Sequence, residues 1–326
     1  MTKNIFLRVL AGITDVDDYF TQRPDCTGKL GISGLQKMTA ALRILAYGDP
    51  SDKVDDPYRM AETTARESLY HFCDAVIQKF GPEYLRQPTN QDIEMLLAEN
   101  AVRGMPGMIG SIDCMHWFWD MCHTAYHGQF SGKGSKPSVV LEAIASYDLW
   151  IWHCYFGIPG SQNDINIIDS SPVVQNYIYG CQSNYGFHMG ENSFETPFYL
   201  ADGIYPDWPI FLKTVNEPST EKERYFAKKQ ESLRKDVERA FGALQKRFYI
   251  IRSHSRVWSV SRMRSIMKCC IILHNMIIEY EREASSKDYE TIWRKEREER
   301  DEGVSENLAT FIDRLSKIKD PISSRG

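Results

Sequence analysis

Apolar positions recur at helical spacing in the first hundred residues and at strand spacing after that. Phe6, Leu7, Val9 and Leu10 suggest a short helix before a turn at Arg23-Pro24-Asp25. Leu35, Met38, Leu42 and Leu45 step by threes and fours, which predicts a helix from Ser33 to Tyr47 that Gly48-Asp49-Pro50 stops. A second helix is predicted from Thr64, with Glu67 closing a capping box. It lays Leu69, Phe72, Val76 and Phe80 along one face and ends at Gly81-Pro82. Thr89 is set to cap a third, through Leu96 and Leu97. Residues 1–100 thus have a helix-turn-helix outline, shared by DNA-contacting modules and by purely structural ones.

The pattern changes after Gly104-Met105-Pro106-Gly107. Ile109 to Trp117 has strand character, and Ser138 to Ser146 is apolar and β-capable. Leu149 to Phe156 is the densest aromatic and β-branched stretch. Tyr147-Asp148 links these last two as a hairpin. A short helix follows Asp164, a strand Phe198 to Ala201, a long helix about Thr220 to Phe248, and another Ser261 to Glu279. Leu233, Val237, Phe241, Leu244 and Phe248 form the long helix's apolar stripe. The order predicts an α/β fold, a mixed sheet flanked by helices over residues 101–280, with ligand sites at strand ends. Residues 281–326 are charged and read as an exposed helix or a mobile tail.

Composition narrows the class. Of 326 residues, 42% are apolar and 25% charged, ordinary for a globular chain. No apolar run reaches the roughly 18 residues a membrane span needs, and the N-terminus shows no secretory signal. Eight irregularly spaced cysteines predict reduced thiols, so a soluble intracellular protein is expected. The formal charge of −5 conceals a segregation. Lys222 to Lys268 holds 14 basic and 4 acidic residues, a +10 segment in an otherwise acidic chain. That suits either a polyanion-binding face or a solvated helix surface.

Three acids stand at informative places. Asp113 interrupts an apolar strand, Asp202 ends another, and Glu238 follows Val237 beside a helix stripe. Together they suit Mg²⁺ or Mn²⁺, hard cations that prefer oxygen, while each alone also suits a cap or a salt bridge. Two such ions activate water at a phosphodiester. Cys114, His116, Cys122, His123 and His127 crowd together, but their spacing matches no closed zinc pattern. Trp117, Trp119, Trp150 and Trp152 offer base stacking or, more in keeping with their strands, core. His274 and Asn275 in an apolar helix predict a buried hydrogen-bond network.

Residues 104–172 resemble the nuclease domain of PIF/Harbinger-type transposases and their domesticated descendants. The likeness continues through Tyr199-Leu200-Ala201-Asp202-Gly203, Asp236-Val237-Glu238-Arg239-Ala240-Phe241-Gly242 and Leu273-His274-Asn275-Met276, and covers about residues 5 to 280. It implies an RNase H-like fold and a DDE acid triad of Asp113, Asp202 and Glu238, the last two 36 positions apart. Asp164 matches a further family acid, read either as a metal ligand or as a helix cap. The resemblance implies two Mg²⁺ or Mn²⁺ ions, hydrolysis of DNA at a transposon end, and strand transfer by the freed 3′-hydroxyl.

Lys235, Arg239, Lys246, Arg247, Arg252 and Arg256 would contact phosphates of transposon-end or chromosomal DNA, and Arg239 has the alternative of steadying a carboxylate. The family also implies a Myb-like DNA-binding partner that brings the nuclease into the nucleus, with self-association left open. The chain departs from the pattern at Asp120-Met121-Cys122-His123, where a basic residue and a Cys-Pro pair are usual, and its C-terminus ends early. A catalytically silent descendant acting on DNA or chromatin is the alternative function. A metal-independent glycoside hydrolase is a third.

Overall fold

Five strands of the computed structural model form one mixed sheet: β1 (Met108–Phe118), β2 (Ser138–Ala145), β3 (Ile151–Pro159), β6 (Phe198–Leu200) and β7 (Phe211–Leu212). Their order across the sheet is β3–β2–β1–β6–β7. A separate small hairpin joins β4 (Phe187–Met189) to β5 (Asn192–Phe194). Structure is described for residues 1–54, 59–132, 136–173, 186–189, 192–194 and 196–301. β1, β2 and β3 are antiparallel neighbours, whereas β6 runs parallel to β1 and β7 parallel to β6. Three antiparallel strands extended by two parallel ones, flanked by helices, make the RNase H-like fold.

Every residue of β2 is buried, because helices cover the sheet on both faces. That is why its sequence reads as one apolar run instead of alternating. On one face Ile112 and Ile144 pack with Ile168 of helix α5 (Asp164–Asp169) and with Tyr205, Ile210 and Phe211. On the other lies helix α7 (Asp236–Arg247), which buries Val237, Ala240, Phe241 and Leu244. Val237, Phe241 and Leu244 each contribute about 1.5–3 kcal/mol when taken from water.

The N-terminal helices are α1 (Lys3–Val16), α2 (Gly34–Tyr47), α3 (Glu62–Tyr84) and α4 (Asn90–Val102). The predicted α2 stands: Ser33 and Gln36 form a capping box, and Gly48, at φ 65°, closes the helix in the left-handed region. Thr89 and Asp92 cap α4 in the same way. Two boundaries differ from those the pattern predicts. α3 begins at Glu62 without the expected Thr64 box, and it continues past Pro82. Burial of Phe80 and Tyr84 holds that last turn, along with hydrogen bonds from Arg8 to the Tyr84 hydroxyl (2.7 Å) and from Asn275 to the Tyr84 carbonyl (2.7 Å).

The long helix predicted from Thr220 to Phe248 is two helices, α6 (Glu221–Arg234) and α7, meeting at Lys235. The backbone N–H of Val237 donates to Ser111 Oγ on β1 (3.1 Å), which takes it out of the helical ladder and fixes the break. The hairpin between β2 and β3 is present, with Leu149 in its turn at φ 73°.

The chain divides into two compact units, Met1–Ile278 and Glu279–Gly326. Helix α8 (Val260–Asp301) supplies the buried Met263, Ile266, Met267, Ile271 and Leu273 of the first. In the second, helix extends to Asp301 where the sequence allowed either helix or tail, and residues 302–326 lie outside the described residues.

Candidate functional site

Asp113 lies within β1, and Asp202 follows the end of the neighbouring parallel strand β6 by two residues. Ser111 on β1 pairs with Leu200 on the parallel β6. That pairing stops two residues short of Asp113 and Asp202. Each acid sits beside its strand's own backbone: Asp113 Oδ1 accepts from the Cys114 N–H (2.8 Å), and Asp202 Oδ1 accepts from the Gly203 N–H (2.6 Å). The strand end that carries Asp202 is held by Gln230 of α6, whose Nε2 donates to the carbonyls of Ala201 and Leu212, both at 3.1 Å. Gln230, Arg234 and Glu238 succeed one another at four-residue steps, which aligns them along one side of α6 and the start of α7.

Glu238 stands in the first turn of α7, and Arg234 lies between it and β1. Arg234 Nη1 is 3.0 Å from Glu238 Oε1 and 3.8 Å from Asp113 Oδ2, and its Nη2 is 3.2 Å from Glu231 Oε1. Burial works against the guanidinium's charge, but the bond to Glu231 and the charges of Glu231, Glu238 and Asp202 outweigh it and raise its pKa above the usual arginine value. Its Nε is buried without a hydrogen-bond partner. All three predicted acids therefore act on one side chain that the sequence pattern did not single out. The signal was present: an arginine four residues before a glutamate on a helix places the two side by side.

Asp236, two positions before Glu238, is buried between Arg103 (2.7 Å) and Arg239 (3.0 Å). Arg239 also donates to the Tyr147 carbonyl (2.8 Å) and lies 5.0 Å from the centre of the Tyr147 ring. It thus steadies a carboxylate, and that carboxylate is Asp236. Lys235, Lys246, Arg252 and Arg256 are exposed. Arg247 is turned inward, its Nη1 donating to His274 Nδ1 (3.0 Å). The side chain of Asp164 lies outside the described residues, and the cap of its helix is Asn163, which accepts from the Asn166 N–H.

The crowded Cys/His residues are engaged locally: His116 with Ser138 Oγ (3.0 Å), His127 with the Cys122 carbonyl (3.0 Å), and His123 as a helical cap. Trp117, Trp119, Trp150 and Trp152 are buried, whereas Trp258 is 71% exposed. Asn275 bonds both the N–H and the carbonyl of Ile151 (3.0 and 2.8 Å), so the network expected of it is there.

Among the described residues, no three His, Cys, Asp or Glu side chains are placed to hold one ion together. The donor chemistry of Asp113, Asp202 and Glu238 is all oxygen and fits Mg²⁺ or Mn²⁺. Between Glu238 and Asp113 stands the Arg234 guanidinium.

A family model described as plant transposon protein matches residues 82–285. The protein ALP1-like of Arabidopsis thaliana is 23% identical over 252 residues, covering 75% of this chain and 61% of that protein. The Arabidopsis protein antagonist of like heterochromatin protein 1 is 24% identical over 278 residues, covering 81% of this chain and 68% of that protein. The chain therefore spans about three fifths to two thirds of these relatives. No solved structure is a significant match.

Proposed function

This chain belongs to the plant transposon protein family, of PIF/Harbinger type, and from that descent and its carboxylate geometry we propose that it is a divalent-metal-dependent DNA endonuclease. The observation that supports the reading is that Glu238 and Asp113 reach one guanidinium, that of Arg234, at 3.0 and 3.8 Å. Asp113, Asp202 and Glu238 would hold the cations, and Asp164 is a candidate fourth ligand. When bound, Mg²⁺ or Mn²⁺ supplies Lewis-acid polarisation at the scissile phosphate and offsets the charge that develops there.

The chain's own residues do the positioning. Gln230 pins the strand end under Asp202, Ser111 sets where α7 begins, and Arg103 and Arg239 secure Asp236 near Glu238. Exposed Lys235, Lys246, Arg252 and Arg256 contact phosphates and supply affinity with little sequence selection. The chain acts in the nucleus, on transposon ends or chromosomal DNA, alongside a Myb-like DNA-binding partner. Among the described residues no helix is long and apolar enough to cross a membrane.

One observation favours a second reading. Arg234 already neutralises the acids, as suits a catalytically silent descendant that works on chromatin. The relative named as an antagonist of like heterochromatin protein 1 supports that setting. Cleavage of terminal-repeat DNA with Mg²⁺ or Mn²⁺ separates the two. The nuclease reading expects cutting that Asp113→Asn and Glu238→Gln each abolish. Tight DNA binding without cutting under either metal would favour the silent descendant.

A further inference from the structure

We infer that Arg234 is a built-in counter-ion that competes with divalent metal for the carboxylates and so sets the metal affinity of the site. The inference rests on the proposed carboxylate site and adds a regulatory element to it. Like-charged acids gathered around one point repel one another unless a positive charge lies between them. In this chain the charge is supplied internally. One Arg234 nitrogen is 3.0 Å from Glu238 and 3.8 Å from Asp113, and Asp202 acts on the same group through its charge.

A guanidinium and a divalent cation cannot both stand at that point. A metal ion must contact the carboxylate oxygens at about 2.0–2.1 Å for Mg²⁺, which leaves no room for Nη1 between Glu238 and Asp113. Metal binding therefore requires Arg234 to swing away, and its cost includes breaking these ion pairs.

Three features make Arg234 suited to leave. Its Nε is buried without a partner, so moving outward gives that group a hydrogen bond it now lacks. It also sits on the last residue of α6, at the break before Lys235. Glu231, one turn back, offers its other nitrogen a hold at 3.2 Å that does not involve the three acids.

The test is Mn²⁺ binding, by calorimetry and by the electron paramagnetic resonance signal of free Mn²⁺, on the full chain and on Arg234→Gln. Removing the competitor should tighten Mn²⁺ binding by about tenfold or more. Asp113→Asn or Glu238→Gln placed in the Arg234→Gln background should abolish the gain.

Thermal unfolding supplies a second readout that does not depend on activity. Without metal, Arg234→Gln should melt below the wild type, because its acids repel, and Mn²⁺ should restore it, with a Tm rise larger than in the wild type. Equal Mn²⁺ affinity in wild type and Arg234→Gln overturns the counter-ion role and leaves the carboxylate site standing. If neither chain binds Mn²⁺ and the acid variants change nothing, the carboxylate site fails and the counter-ion role with it. If Arg234→Gln melts low and Mn²⁺ does not restore it, the arginine is structural and the inference is wrong.

Discussion

His274 is fully buried in α8, and its two ring contacts fix its proton. Arg247 can only donate, so Nδ1 must accept, and Nε2 therefore carries the hydrogen given to the Leu149 carbonyl at 2.8 Å. The ring is neutral. Burial, helped by the charge of Arg247 and opposed by the Leu149 bond, lowers its pKa from the ordinary 6.5 to about 4. In the unfolded chain the same ring takes a proton as pH falls below 6.5, while the folded ring resists until about 4. This stabilisation is complete above 6.5 and is lost as pH drops through that window. It amounts to on the order of 3 kcal/mol. Urea unfolding at pH 7.5 and pH 4.5 should show the loss in the wild type and less of it in His274→Gln. A folded-state NMR titration of the ring near 6.5 would contradict the assignment.

At the scale of elements, the break between α6 and α7 is the feature the site depends on, and it is held by one long-range bond. Ser111→Ala leaves the Val237 amide buried without a partner. It should cost about 1–3 kcal/mol in urea unfolding. A change below about 0.5 kcal/mol, the range of neutral surface substitutions, would mean something else sets the break. The same bond shows how far a sequence pattern can reach. Ser33 with Gln36, Thr89 with Asp92, and Gly48 announce helix ends because cap and helix are neighbours in sequence. The apolar stripe from Leu233 to Phe248 looks continuous because its interruption comes from Ser111, on a distant strand. β7 leaves no trace because two residues in a proline-rich stretch carry no periodicity. The RNase H-like fold was legible through the resemblance that Asp113, Asp202 and their flanking motifs carry. Arg234 does not stand out by residue type, since metal chemistry points to acids, although its spacing from Glu238 is in plain view.

At the scale of the whole molecule, the proposed engagement of DNA has to be reconciled with a net charge of −5. Its excess of positive charge between Lys222 and Lys268 falls on the helices that bear Arg234 and Glu238, and on the residues from Tyr249 onward. Screening at physiological salt limits each exposed charge to about 8 Å, so the acidic remainder repels DNA weakly once basic groups are in contact. Not every basic residue in the segment is free for that contact. Lys246 and Arg256 are exposed, whereas Arg247 is committed to His274.

These placements predict a division of labour. Lys246→Ala and Arg256→Ala should each weaken DNA binding at all sequences and reduce the slope of log affinity against log salt by about 1. Arg247→Ala should leave that slope nearly unchanged and lower the stability of the fold. Fluorescence anisotropy across a salt series, paired with thermal unfolding of the same variants, reads both effects. A salt slope that falls for Arg247→Ala and stays constant for Arg256→Ala would reverse the assignment. The path of DNA would then have to be drawn over a different surface of the segment.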